Sequence, residues 1–241
     1  MKRAALILFL FFFLVVNLMS EDNSGGFSYQ IDLTSRFIFR GMDLLSNNNP
    51  AIQPSITYTF GESGFTLNLW GSFALSERER CKYLDEIDLT LAYAFKTSGK
   101  YSLVVGFINY GFWFSQKHKL KDKTTQEFFV EAGLPGVLFS PTLTAYYDVN
   151  LGDGLYLELI GKHKVALFKS ISLDLSATLG YNAGQWLPEG AETGFSDLTI
   201  GAALPLKTGK ITLSPFINYT FVFLDELNCG NEFWFGVSLI F

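Results

Sequence analysis

A strict two-residue alternation of apolar and polar side chains runs through this chain. The stretch 231–241, NEFWFGVSLIF, shows it most clearly. Its odd-numbered positions from 233 on are apolar, namely Phe233, Phe235, Val237, Leu239 and Phe241. Each set of alternate positions, odd or even, is called a parity below. A period of two places successive side chains on opposite faces of a β-strand. This stretch therefore predicts a strand with one apolar face.

The same alternation recurs along the chain. It is clear at 26–41, 65–75, 85–95, 101–114, 170–182 and 210–223, and weaker at 50–60, 125–134, 141–149, 154–163 and 195–206. With the C-terminal stretch these make about twelve strands, which suits membrane strands of ~9–11 residues each. The predicted boundaries are least defined at 134–142 and 160–170, where the parity is blurred.

Residues 1–20 have the layout of a secretory signal peptide. Lys2 and Arg3 precede an apolar run at 4–16, and Ser20 stands before the polar stretch EDNSGG. The run is shorter than the roughly 20 residues of a membrane-spanning helix, which argues against the alternative of a transmembrane anchor. The predicted organisation is a cleaved signal peptide at 1–20 and one outer-membrane β-barrel domain at 21–241.

The composition indicates that the strands lie in a lipid bilayer. Hydrophobic residues make up 49% of the chain and aromatic residues 17%. After residue 20, however, no run approaches the ~18 consecutive apolar residues of a membrane helix. A β-barrel in lipid has such a composition because its outward face is apolar and bordered by aromatic girdles. The net charge of −5 and the lack of a basic stripe exclude nucleic acid as an expected partner.

The connections between the predicted strands alternate in length. Those at 61–64, 96–100 and 207–210 are tight and contain Gly, whereas those at 42–49, 76–84, 115–124, 182–193 and 225–231 are longer and polar. Short periplasmic turns and long extracellular loops are typical of outer-membrane barrels. The predicted fold class is therefore all-β: an antiparallel, up-and-down transmembrane β-barrel of about twelve strands, located in the bacterial outer membrane.

Aromatic residues are predicted to form a girdle at each end of the barrel. Tyr58, Tyr93 and Phe241 belong to the periplasmic girdle, and Phe37 and Phe39 to the outer one. Phe241, preceded by alternating apolar residues, resembles the C-terminal assembly signal of outer-membrane proteins. That resemblance implies recognition by the barrel-assembly machinery.

The polar parity names the residues that are expected to line the lumen. They comprise ten carboxylates and three basic residues: Asp32, Arg36, Arg40, Glu86, Asp88, Glu127, Glu131, Asp148, Glu158, Lys162, Asp174, Asp197 and Glu232. Because rings of carboxylates favour cations, an open pore is expected to prefer cations weakly. The alternative is a plugged lumen, in which Arg36 and Arg40 pair with carboxylates across the barrel.

The sequence does not predict a catalytic, metal or cofactor site. His118 lies in a Lys-rich loop and His163 near a predicted turn, and neither stands in an H-x-S arrangement on a strand. An outer-membrane hydrolase would require distant residues to meet in the fold, and the chain is not expected to be an enzyme. Cys81 and Cys229 both fall in predicted extracellular loops, where they can form a disulfide or remain free thiols.

Several segments resemble, in order, the TorF-type porin family. They are SRFIFRG (35–41), NNNPAIQPS (47–55), LNLWGSFALS (67–76), DEIDLTLAY (85–93), QEFFVEAGL (126–134) and YYDVNLGDGLYLEL (146–159). The resemblance covers nearly the whole mature chain. It implies a small bacterial outer-membrane barrel regarded as a porin, with no established substrate or catalytic residues.

Two functional readings follow from the sequence. The first is a passive channel for small hydrophilic solutes, embedded in the lipid bilayer and narrowed at its mouth by the loops at 42–49 and 115–124. The second is a closed structural or interaction barrel whose extracellular loops bind a ligand or partner. A continuous water path favours the channel, and an arginine–carboxylate plug favours the closed barrel.

Overall fold

The computed structural model describes residues 25–45, 48–81, 84–112, 124–168, 171–228 and 230–241. The predicted signal peptide at 1–20, His118 and Cys229 lie outside the described residues. The strands are β1 Gly26–Thr34, β2 Ile38–Phe39, β3 Met42–Asp43, β4 Ala51–Thr59, β5 Phe65–Ala74, β6 Glu86–Ala94, β7 Ser102–Gly111, β8 Thr124–Gly133, β9 Thr142–Asp148, β10 Gly154–Phe168, β11 Ile171–Ala183, β12 Gly194–Ala203, β13 Leu206–Thr208, β14 Ile211–Val222 and β15 Glu232–Ile240. One helical turn, α1, spans Arg78–Cys81. Within the described ranges, no helix has the length and apolar character needed to cross a membrane.

Twelve of the strands close into a single antiparallel barrel, which confirms the fold class predicted from the sequence. The ring consists of β1, β4 to β12, β14 and β15. It closes where β1 pairs with β15, with Leu33 opposite Val237. The short strand β13 belongs to the turn between β12 and β14, which also pair directly. Closure leaves every spanning strand with two hydrogen-bonded neighbours, as a bilayer interior requires.

The outward face of the barrel is an apolar belt. Side chains of the apolar parity are half exposed, as Phe128 at 54% and Val130 at 50% illustrate on β8. Their strand neighbours Glu127 and Glu131 point to the other face, because side chains alternate along a strand. The predicted alternation therefore assigns lipid-facing and lumen-facing residues on these strands.

The two ends of the barrel differ. Short connections and contacting aromatic pairs, Tyr58 with Phe60 and Tyr93 with Phe95, lie at one end. The connections at the other end are longer, and the first of them, residues 35–50, is called loop L1 below. In outer-membrane barrels the short turns face the periplasm and the long loops face the exterior.

The predicted first strand at 26–41 is wrong beyond Thr34. There β1 ends, and L1 begins with the small β2–β3 hairpin. Phe37 and Phe39 therefore do not join an outer girdle: Phe37 is buried in an apolar cluster at the barrel mouth, and the Phe39 ring lies 6.1 Å from that of Tyr110.

The structure defines the strand boundaries in the two regions where the alternation was blurred, 134–142 and 160–170. β8 ends at Gly133 and β9 begins at Thr142, so most of 134–142 is a turn. β10 continues to Phe168, and its pairing with β11 shifts in register between Ala166 and Phe168. That irregularity explains why alternation alone gave no clear assignment at 160–170.

We expect Val130→Arg to lower the free energy of unfolding by roughly 2–4 kcal/mol, because it puts a charge on the lipid-facing side of a membrane strand. Glu131→Arg, one residue away, places the same side chain in the lumen and should destabilise the protein much less. Urea unfolding of the refolded barrel in lipid vesicles measures both variants. Equal losses in the two variants would contradict the assigned faces.

Candidate functional site in the barrel lumen

The inward faces of the strands carry most of the residues that the sequence predicted to line the lumen. Pairing registers and burial place eleven of them there: Asp32, Glu86, Asp88, Glu127, Glu131, Asp148, Glu158, Lys162, Asp174, Asp197 and Glu232. The other two, Arg36 and Arg40, belong to L1 and not to a strand. Arg40 reaches across the lumen from this loop, whereas Arg36 pairs with Glu232 on β15, the strand next to β1.

The base of L1 is fixed by a small hydrophobic cluster. Its buried members are Phe37, Leu45, Ala51, Ala74 and Cys81. These residues come from L1, from β4 and β5, and from α1, so the cluster joins L1 to the next loop at the barrel mouth. The Cys81 thiol is free, only 1% exposed, and lies 3.4 Å from the side-chain nitrogen of Asn49.

The tip of L1 is a two-residue turn between β2 and β3. Arg40 and Gly41 occupy its central positions with φ values of 50° and 84°. Positive φ at both central residues is the conformation of a type I′ turn, which favours Asn-Gly and strains most other side chains. An arginine in this position keeps an unfavourable backbone conformation, which draws attention to its side chain.

The Arg40 side chain is bound by a carboxylate on the far wall of the barrel. Its guanidinium donates to both oxygens of Glu127, at 2.6 and 2.9 Å, and also to the side-chain oxygen of Gln185. Glu127 in turn accepts from the hydroxyl of Tyr110 and the amide nitrogen of Gln185, each at 2.8 Å. The side chains of Arg40 and Glu127 are 7% and 0% exposed, so this is a buried ion pair.

Aromatic rings surround the same guanidinium. Its central carbon lies 4.6 Å from the ring centre of Phe39, 4.2 Å from that of Tyr146 and 4.7 Å from that of Tyr156. Cations over aromatic faces at these distances are attracted by the ring quadrupole, and more strongly when desolvated. We call the set Glu127, Tyr110, Tyr146, Tyr156 and Gln185 the Arg40 cage.

The cage is braced by β12. Tyr156 donates to Asp197 at 2.9 Å, and Ser196 donates to the same carboxylate oxygen at 2.8 Å. Gly180 makes room for this arrangement, because a Cβ there would collide with the Tyr156 hydroxyl and Asp197. On the other side of Asp197, a Cβ at Gly41 would lie 3.1 Å from the Asp197 Cβ, so the hairpin tip packs closely against β12.

These contacts place L1 across the barrel interior. L1 emerges from β1 and returns in β4, whereas the cage residues come mainly from β7 to β10. In the closed ring, β9 lies on the side opposite β1. The β2–β3 hairpin therefore bridges the extracellular half of the lumen and narrows it.

Electrostatics keep Arg40 charged in this position. Burial alone lowers the pKa of Arg40, but its hydrogen bonds to Glu127 and the attraction of that carboxylate outweigh burial, so the pKa lies above its ordinary value. A charged guanidinium bound bidentately by a carboxylate is a strong and geometrically specific contact. The tip of L1 is therefore held by an ionic as well as an aromatic interaction.

Other predicted lining residues in the extracellular half also bind protein groups. Arg36 pairs with Glu232 on β15. Asp148 is fully buried and accepts hydrogen bonds from Thr125 at 2.7 Å and from the backbone N–H of Gly152 at 3.0 Å, which shapes the turn after β9. Asp148 therefore supports a turn.

Glu86 and Asp88 form a second buried group on β6. They are 5% and 7% exposed, and both point inward. The backbone N–H of Gly111 donates to Asp88 at 3.3 Å. Together with the Arg40 cage, these residues show that much of the acidic lining in the extracellular half is packed against protein.

The periplasmic half of the lumen holds charges that are more accessible to water. Glu131 and Glu158 are partly exposed, and Lys162 is exposed. Lys164, which the sequence analysis did not include, pairs with Asp174 at 3.4 Å, with side chains 66% and 39% exposed. It was missed because the predicted strand ended at residue 163, whereas β10 continues to Phe168.

Sequence reasoning also missed the neutral parts of the cage. Tyr146 and Tyr156 lie on the polar parity of their strands, so the alternation contained a signal for them, whereas the inward positions of β7, which carries Tyr110, are mainly apolar or small. Gln185 follows β11 in a loop and had no comparable signal. The predicted loop narrowing at 42–49 overlaps L1, whereas 115–123 lies outside the described residues.

The chain matches a known protein family over most of its length. One family model matches residues 20–219 and is described as a bacterial protein of unknown function, Gcw_chp. The chain belongs to the Gcw_chp family. That description agrees with a bacterial family without an assigned function, but it does not carry the TorF-type name. No curated protein matches this Gcw_chp chain.

Solved outer-membrane proteins share the fold of the Gcw_chp protein. KdgM porin matches with a TM-score of 0.57 and 13% identity over 89% of this chain and 98% of its own. NanC porin has a TM-score of 0.55 and 12% identity over 88% and 98%. LpxR from Salmonella typhimurium has a TM-score of 0.53 and 9% identity over 89% and 99%. Together with the apolar belt, this fold places the Gcw_chp protein in the bacterial outer membrane, as the sequence predicted.

A fold that is shared at 9–13% identity does not decide whether the Gcw_chp protein is an enzyme. His163 lies on the outward parity of β10 opposite Leu175, and its ring centre is 5.4 Å from that of Phe139. It therefore points away from the lumen. In the described part of the chain, no group of three or more His, Cys, Asp or Glu side chains is placed to hold a metal ion.

Proposed function

We propose that the protein is a porin-like channel that passes small hydrophilic solutes with a weak preference for cations. The observation that carries this proposal is the water-accessible charged lining of the periplasmic half, where Glu131 and Glu158 are partly exposed and Lys162 is exposed. The barrel fold that the chain shares with KdgM and NanC porins supports a channel. The TorF-type porin reading of the family belongs to the same proposal.

The charge of the accessible lining supports the cation preference. Arg36 and Arg40 are each neutralised by a carboxylate, so they do not make the lumen positive. Glu131 and Glu158 remain partly exposed below the constriction, while Lys164 is paired with Asp174. The remaining excess of carboxylates favours cations, and Lys162 at the periplasmic end keeps the preference weak.

Single-channel recording tests the proposal. The refolded full chain is inserted into a planar bilayer, and the reversal potential is measured in a salt gradient. Discrete conductance steps with a cation-favouring reversal potential are the expected result. Folded, heat-modifiable protein that gives no steps would overturn the channel.

We expect the double variant Glu131→Gln and Glu158→Gln to lose the cation preference. It removes two negative charges from the accessible lining, so the reversal potential should move to zero or change sign. The double variant Glu62→Gln and Glu189→Gln, which removes two exposed loop carboxylates, is the matched control. The same shift in both variants would show that overall charge, not the lining, sets ion preference.

A closed interaction barrel is the second candidate function. The buried ion pair of Arg40 and Glu127 favours it, because an arginine–carboxylate plug was its expected sign. In that case the extracellular loops would bind a ligand or partner. The absence of conductance steps, with a normally folded protein, is the result that would favour this function over the channel.

Two further roles belong to the proposal. Phe241 would serve as the signal read by the barrel-assembly machinery; its backbone N–H and C=O bond to Tyr29, which seats the end of β15 against β1. The protein would act without catalysis, which is consistent with His163 facing away from the lumen.

A further inference from the structure

We propose that the Arg40 cage is a binding site for small solutes that carry a guanidinium or primary ammonium group. In this view Arg40 is an internal occupant of the site, and a cationic solute competes with it and moves the L1 hairpin off the wall. The inference rests on the proposed channel function and names the solute class that the constriction recognises.

The cage is held together without Arg40. Tyr110 and Gln185 both donate to Glu127, so the carboxylate keeps its position when the guanidinium leaves. The hydroxyl of Tyr156 is fixed by Asp197. Only Phe39 among the surrounding rings comes from L1 and would leave with the hairpin.

The chemistry of the cage selects a cation. Its polar centre is a carboxylate with two oxygens in position for parallel N–H donors, which suits a planar guanidinium. The faces of Tyr146 and Tyr156 attract a cation but offer nothing to an anion. The inward carboxylates Asp197 and Glu158 add to the negative potential of this wall.

Burial makes the exchange selective. Glu127 is completely buried, and a buried charge that loses its partner is strongly destabilising. Withdrawal of Arg40 therefore requires another cation to take its place. A neutral or anionic solute cannot supply that charge, so it cannot displace the hairpin.

The hairpin is built so that it can be displaced. β2 and β3 pair through only two residues each, and the turn holds Arg40 in the left-handed region of φ. Release of the side chain also removes the need for that strained conformation. The base of L1 stays anchored by the cluster around Phe37 and Leu45, so only the tip has to move.

The test uses methylguanidinium as the probe and methylurea as its uncharged counterpart. Binding is measured in two ways on the refolded full chain: by the shift in thermal unfolding temperature in detergent, and by block of single-channel current. The variants are Arg40→Ala, which vacates the cage, and Arg40→Ala with Glu127→Gln, which removes its charge. Arg80→Ala, which deletes an exposed arginine of α1, is the control.

Methylguanidinium should bind Arg40→Ala at least about tenfold more tightly than the wild type, because the wild-type cage is already occupied. The thermal shift should be absent with methylurea and lost in the double variant, while Arg80→Ala should behave like the wild type. Equal effects in all four proteins would overturn the cage, since they would show non-specific binding. Arg40→Gln takes the place of Arg40→Ala in every comparison if the alanine variant does not refold.

The two readouts separate this inference from the channel function. A probe-dependent thermal shift without any conductance would retain the cage and reject the channel. Conductance without a difference between wild type and Arg40→Ala in probe binding would retain the channel and reject the cage. Each pattern therefore decides one question.

Discussion

Arg40→Ala should raise the single-channel conductance by a factor of roughly two or more, because a hydrophilic pore conducts according to its narrowest section. In the wild type, the Arg40 guanidinium fixes the hairpin tip to Glu127 on the far wall. Alanine removes the ion pair and the contacts with three aromatic rings at once. Water and ions can then enter the space that the side chain occupied.

Arg80→Ala is the matched control for this experiment. Arg80 is an exposed residue of α1 that pairs with Glu77 outside the lumen, so its loss changes the charge of the mouth without touching the constriction. Its conductance should equal that of the wild type. An unchanged conductance in Arg40→Ala would mean that the hairpin stays in place without its side chain, and that Arg40 does not control the pore.

Glu127→Gln should lower the free energy of unfolding by roughly 3–5 kcal/mol, because it leaves the Arg40 charge buried without its partner. The change keeps the size of the side chain and one acceptor oxygen, so packing is little affected. Tyr110 donates to one Glu127 oxygen and Gln185 to the other, so only one of these two hydrogen bonds keeps an acceptor oxygen in the variant. Urea unfolding in lipid vesicles measures the loss.

A double-mutant cycle separates the ion pair from the rest of the site. Glu127→Gln in the Arg40→Ala background should cost much less than in the wild type, since no buried cation is then left unpaired. The coupling between the two positions should be on the order of 1–3 kcal/mol, as for other side chains in direct contact. Additive losses would show that Arg40 and Glu127 contribute independently and that the pair does not hold L1.

The base and the tip of L1 are attached to the barrel by different kinds of interaction. Its base is packed by apolar side chains, including Leu45 at 1% exposure, beside the free thiol of Cys81. Its tip is bound by charge and aromatic faces. Apolar packing fixes the loop permanently, whereas an ionic contact can be exchanged for another ion, so the tip is the part suited to regulation.

Alternation identified the strands because the bilayer imposes it. Each spanning strand must present apolar side chains to lipid on one parity, and Val130 and Glu131 show the consequence at neighbouring positions of β8. The same reasoning failed at Phe37. Its parity matched that of the lipid-facing residues before it, but a buried loop cluster gave its side chain another apolar environment.

The sequence predicted only part of the structure of the lumen. Alternation placed carboxylates such as Glu127 and Glu158 on the inward face, since that depends only on local strand geometry. It did not show which of them are exposed to water and which are buried. That difference depends on where L1 packs.

The amino-acid sequence by itself determined the closed barrel, its lipid-facing belt and the acidic character of its interior, because each follows from a period of two repeated along the chain. Only the tertiary structure decided that L1 crosses the lumen and that Arg40 meets Glu127. These residues are 87 positions apart. Their contact depends on the direction in which L1 folds into the closed barrel, which no local pattern encodes.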